Sequence, residues 1–156
     1  MFWDAYREAN QTDSVSLMRP RTAGRWIREI ESEIDCPELI GFLREWPFAE
    51  SAQLCAHYFY SPREMVKETR AHTALRDRFF AVGCAANGDF IVIPKACQSE
   101  VGFVDHETLD DKLGVCKYVA VAKSIGEIYF NSWHKQGYPG DYYEAIKQEG
   151  TPNQAL

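Results

Sequence analysis

Residues 79–93 read Phe-Phe-Ala-Val-Gly-Cys-Ala-Ala-Asn-Gly-Asp-Phe-Ile-Val-Ile, two apolar runs flanking Asn87-Gly88-Asp89. Asn-Gly between apolar runs is the strongest short-range hairpin signal, because a two-residue turn needs positive φ, which glycine adopts without steric cost. The spacing predicts an antiparallel hairpin with Gly88 at positive φ and with Gly83, Asn87, Gly88 and Asp89 as its structural turn residues. Phe90 to Ile93 is apolar at every position and reads as a central strand covered on both faces. No chain with this hairpin at its centre is all-helical.

The flanking segments supply the rest of an α+β fold. Trp26, Ile27, Ile30 and Ile34 follow an amphipathic helical spacing over 23–34. Pro37 suits a first helical position, and Leu39, Ile40, Leu43 and Trp46 give that helix an apolar face before Pro47 stops it. Phe2, Trp3 and Tyr6 fit one face of a short helix further upstream. Residues 54–60, Leu-Cys-Ala-His-Tyr-Phe-Tyr, read as one strand. Ser61-Pro62-Arg63-Glu64 and Ser124-Ile125-Gly126-Glu127 each have the form of a capping box, so helices start there. Strands are expected at 101–104 and 116–122, and a last helix at 138–147. Helices, then a meander of strands, then helices again predict an antiparallel β-sheet with helices packed on it.

A length of 156 residues suits one domain, and the charge of −6 disfavours nucleic acid and favours a basic partner, since no local basic patch stands out. The N-terminus lacks the pattern of a signal peptide, and no apolar run is long enough to span a membrane, so a cytoplasmic protein is expected. Five cysteines (Cys36, Cys55, Cys84, Cys97 and Cys116), odd in number and without CxxC spacing, are expected to be free thiols used as small core residues.

Chemistry-bearing patterns are sparse. There is no G-x-S-x-G, P-loop or HExxH. Cys55 and His57 face the same way on a strand, either as a Cys–His pair or as core residues. Asp89 is either a catalytic carboxylate or an acceptor for backbone N–H groups of its own turn. Glu100, Asp105, Glu107, Asp110 and Asp111 fall within twelve residues. They are expected to gather at one end of the sheet as the partner-binding face. The same loop, with His106, holds residue types that ligate divalent ions, but not at EF-hand spacing; the expectation is no metal and no cofactor. Of Tyr142 and Tyr143, one is expected to be exposed, because neighbours on a helix cannot both face inward.

The run Phe80-Ala81-Val82-Gly83, then Asn87-Gly88-Asp89-Phe90-Ile91-Val92-Ile93, then Val101-Gly102-Phe103-Val104-Asp105-His106-Glu107 resembles the core of the SUKH superfamily, the Smi/Knr-like domain. Ala122-Lys123-Ser124-Ile125-Gly126-Glu127-Ile128 is similar to that family's later helix start, and 59–65 to its strand and capped helix. The resemblance covers about 37–133, leaving 1–35 as a helical extension. It implies a non-catalytic binding protein: an immunity protein that occludes the active site of a cognate toxin, possessing a basic, nuclease-like surface, or else a regulatory scaffold module. The third alternative, from a different class, is a small metal-dependent hydrolase using Asp105, His106 and Glu107.

Overall fold

The computed structural model describes residues 16–54, 56–97 and 100–149. Six strands form one sheet in chain order: β1 (Ala52–Leu54), β2 (His57–Phe59), β3 (Phe79–Ala85), β4 (Phe90–Pro94), β5 (Val101–Val104) and β6 (Tyr118–Ala122). Every neighbouring pair is antiparallel. Helices α1 (Pro20–Glu33) and α2 (Pro37–Glu45) come before the sheet. Between β2 and β3 lie α3 (Pro62–Ala71) and the short α4 (Thr73–Arg76); α5 (Ile125–His134) and α6 (Tyr142–Glu149) come last. The fold is α+β with an antiparallel sheet, as its pattern of elements predicts.

Three local expectations are corrected. The stretch 54–60 is not one strand: β1 and β2 are separate and pair with each other, Leu54 opposite His57. The last helix starts at Tyr142, not 138, because Asp141 caps it, its Oδ1 accepting the Glu144 N–H at 2.8 Å. At Ser124 only half a capping box forms. The serine Oγ accepts the Glu127 N–H at 3.0 Å, but Glu127 reaches back one residue further, to the Lys123 N–H at 2.7 Å. At Ser61 both halves form. The helix proposed around Phe2, Trp3 and Tyr6 lies outside the described residues.

The hairpin is present with a different loop. Inside the Cys84–Phe90 pair, the Ala85 N–H donates to the Asp89 carbonyl at 2.8 Å, and the Gly88 N–H donates to the Ala85 carbonyl at 3.1 Å. Ala86, Asn87 and Gly88 thus form a three-residue loop in place of the expected two-residue turn. Asn87 selects it, its side-chain oxygen accepting the Asp89 N–H at 3.0 Å. Gly88 has φ 99°, as a glycine closing such a loop requires. Gly88→Val forces a branched side chain into that conformation and is expected to cost about 1 kcal/mol or more. An unchanged melting temperature would contradict this.

Gly83 is not a turn residue. It lies within β3, opposite Phe59 and Ile91, where the register shifts between Ala81 and Gly83. A β-carbon there would sit 2.1 Å from the Tyr58 carbonyl oxygen. Gly102 in β5 is the same case: its β-carbon would lie 2.0 Å from the Val119 carbonyl oxygen, beside a second shift between Val101 and Gly102. Glycine inside a strand commonly marks a bulge or a close backbone approach.

Alternation along the strands divides the core in two. Phe80, Val82, Ile91, Ile93 and Phe103 face a large apolar cluster that includes Ile27 and Ile30 of α1, Leu39 and Leu43 of α2, and Ile128 and Tyr129 of α5. Phe79, Ala81, Phe90, Val92 and Val104 face a smaller one with Leu75 of α4. Residues 90–93 are therefore covered on both sides, as expected. Where β2 ends, α3 takes over the edge of β3, and Thr69 Oγ1 accepts the Ala81 N–H at 2.9 Å. The described cysteines are free; Cys36 is buried and Cys84 and Cys116 half-buried, but Cys97 is exposed and not a core residue. Among the described residues, no helix is long and apolar enough to cross a membrane.

Candidate functional site

Asp89 leaves the hairpin pointing inward, and its carboxylate is 0% exposed. A buried carboxylate needs a full set of donors, and this one has four. Oδ1 accepts the His106 N–H at 3.1 Å and lies 2.7 Å from His106 Nδ1. Oδ2 accepts the Asn87 side-chain amide at 2.8 Å and the Tyr142 N–H at 3.0 Å. Asp89 was expected to serve its own turn. Instead it joins three separated segments: the hairpin, the turn after β5, and the start of α6. Burial alone would push its carboxyl pKa up; the donors, His106 foremost, outweigh that and hold it below its ordinary value. The hydrogen bond to Asp89 pushes the His106 imidazole up, helped by the charges of Asp89, Glu107 and Asp105.

The five acids of the expected partner-binding face do not all meet. Glu100 precedes β5 and Asp105 follows it, which sets them roughly 17 Å apart along an extended strand. Glu100 instead accepts the hydroxyl of Tyr118 in β6 at 3.2 Å. Asp105 is 1% exposed and caps the 3-10 turn His106–Thr108, its Oδ1 accepting the Glu107 N–H at 2.9 Å. Asp110 Oδ1 accepts the Lys112 and Leu113 N–H groups at 2.9 and 3.1 Å, which tightens the small loop closed by the Asp110–Val115 bridge. Asp111 is exposed and lies 3.1 Å from His72 Nδ1. Glu107 is exposed and accepts the Tyr143 hydroxyl at 3.0 Å. That bond raises the Tyr143 pKa to about 12. After β5, Glu107 and Asp111 are thus exposed and Asp110 half-buried, with Glu107 held by Tyr143 of α6 and Asp111 by His72, while Asp89 and Asp105 are buried. Tyr142 is buried and Tyr143 exposed, as the helical geometry required.

Three kinds of chemistry can be weighed here. Asp89, Asp105 and His106 bring possible ligand atoms within 4.8 Å of one another. Both oxygens of Asp89 already accept two donors, so an ion there must displace His106. His106 is an imidazole oriented by a buried carboxylate, the geometry of a general base. Among the described residues, however, no Ser or Cys is hydrogen-bonded to it. Of the Cys55–His57 pair, Cys55 lies outside the described residues. His57 itself is 1% exposed, packs on Phe103 with ring centroids 5.5 Å apart, and has its Nε2 3.1 Å from the Gly140 carbonyl oxygen. Burial lowers its pKa.

His72, His106, Tyr142 and Tyr143 were not foreseen as partners of these acids. Nothing in a spacing of 17 or 53 residues announces a hydrogen bond. Compared with known families and with curated proteins, the chain matches no family model and no curated protein.

Proposed function

We propose that this chain is a non-catalytic binding protein that meets a basic protein partner through Glu107, Asp110 and Asp111. The supporting observation is one of pairing. The acids of α1 are coupled to bases: Glu29 and Glu33 to Arg70, Glu31 to Arg44, and Glu33 to Lys95. Among the described residues, no lysine or arginine pairs with Glu107, Asp110 or Asp111; Asp111 has only His72. Unneutralised acids on one turn create a negative potential that steers a cationic partner. With the Smi/Knr-like resemblance, this favours an immunity protein that covers the basic active site of a toxin; a scaffold module of the same fold is the alternative. The hydrolase reading keeps one observation in its favour, the His106–Asp89 pair.

The test is association kinetics against the product of the neighbouring gene across a salt series. The on-rate at low salt is expected to exceed the roughly 10⁵–10⁶ M⁻¹s⁻¹ of neutral pairs. It should fall as the Debye length shortens to about 8 Å. Asp110→Asn with Asp111→Asn keeps an acceptor oxygen at each turn contact while removing both charges. It should lower the on-rate more than it raises the off-rate. A salt-independent on-rate, or full binding by the double variant, would rule this face out.

A further inference from the structure

We propose that the outward face of α1 is a second docking surface, for an acidic protein segment. Sequence composition shows no basic patch, and the folded helix corrects that reading. Arg21, Arg25 and Arg28 fall at i, i+4 and i+7, opposite the buried Ala23, Ile27 and Ile30. All three are exposed, and the Arg25 side chain keeps 70% of its accessible surface. Arg25 touches Glu29 at 3.6 Å and lies 5.2 Å from the Trp26 ring centroid. Among the described residues, Arg21 and Arg28 have no ion-pair partner.

Two features separate these arginines from ordinary surface charge. The first is their place on the helix. α1 has no acid in its first turn and no base in its last, the reverse of what the helix dipole favours. Helix stability therefore does not account for Arg21, and Arg28 has no i,i+4 acid to pair with. The second is the contrast with the acids of the same helix. Glu29, Glu31 and Glu33 tie α1 to α3, α2 and Lys95, whereas the arginines tie it to nothing.

Charge complementarity and size select the occupant. From Arg21 to Arg28 the face runs roughly 10 Å, at ~1.5 Å per residue. That length matches two or three carboxylates, which guanidinium groups bind in bidentate fashion. A nucleic acid would extend well past the arginines and meet a protein of net charge −6.

The test uses the full chain with a fluorescently labelled poly-L-glutamate peptide and a labelled single-stranded RNA of mixed sequence. Binding is read by anisotropy at low and physiological salt. Poly-L-glutamate should bind at low salt. The triple variant Arg21→Gln, Arg25→Gln, Arg28→Gln should weaken it about tenfold or more, from three exposed ion pairs. The same variant should melt at an equal or slightly higher temperature, because Arg21 opposes the dipole in the first turn and the exposed Arg25–Glu29 contact contributes little. The triple lysine variant, which keeps the charge, should retain most of the binding. No poly-L-glutamate binding at low salt, undiminished binding by the glutamine variant, or a lowered melting temperature for it would each overturn the proposal. RNA bound in preference to poly-L-glutamate would overturn the partner class.

Discussion

Asp89→Ala is expected to lower stability by about 3–5 kcal/mol, since it removes a buried charge and leaves donors from three segments unsatisfied. For a chain of this size that is a fall in melting temperature of about 10 °C or more. His106→Gln, at a half-exposed position, should cost much less. The pH dependence has a definite sign. The folded pKa of Asp89 lies below its ordinary value of 3.8, so its contribution is complete above that pH and is lost as pH falls through the folded value. The folded pKa of His106 lies above 6.5, so its contribution is complete below 6.5 and is lost as pH rises through the folded value. The pair therefore stabilises most between those limits. Urea unfolding of the wild type and both variants across that range checks this. A wild-type-like Asp89→Ala would show that Asp89 does not join the three segments.

Gly83→Ala and Gly102→Ala should each cost about 3 kcal/mol or more, and the expressed variants should be poorly folded. The obstacle in each case is a carbonyl oxygen of a neighbouring strand, 2.1 Å away at Gly83 and 2.0 Å at Gly102. A flexible side chain could move aside; a backbone atom held in the sheet cannot without breaking its pairing. Gly41 in α2 is the control. Nothing lies within 4 Å of a β-carbon there. Gly41→Ala should therefore stabilise the helix by up to about 1 kcal/mol, through propensity alone. Thermal melts of the three variants decide the matter, and a tolerated Gly102→Ala would mean that β5 and β6 lie further apart than described.

The elements that were legible in the sequence are those encoded within a few adjacent residues. Proline at the first helical position marks the starts of α2 and α3, and Ser61 and Glu64 cap α3 through atoms three residues apart. The apolar run at 90–93 gave away a strand covered on both faces, because no strand with one wet face can keep four apolar residues in a row. The boundary between β1 and β2 was not legible, since 54–60 has the composition of a single strand. The loop beside Gly88 was half legible: the glycine was certain, but Asn87's choice of Asp89 as partner added a residue.

The candidate site and the charged faces belong to the other class. By itself the sequence determined the class of fold, the hairpin at its centre and the starts of α2, α3 and α5, because helix periodicity, caps and turns are short-range and act before distant parts of the chain meet. Only the tertiary structure decided that Asp89 is a buried joint, that Glu100 is separated from the other acids by the length of β5, and that α1 presents unpaired arginines. Each of those depends on which partner reaches a charge first, and here the partners come from 17 to 53 residues away, brought into contact by the packing of the sheet and helices.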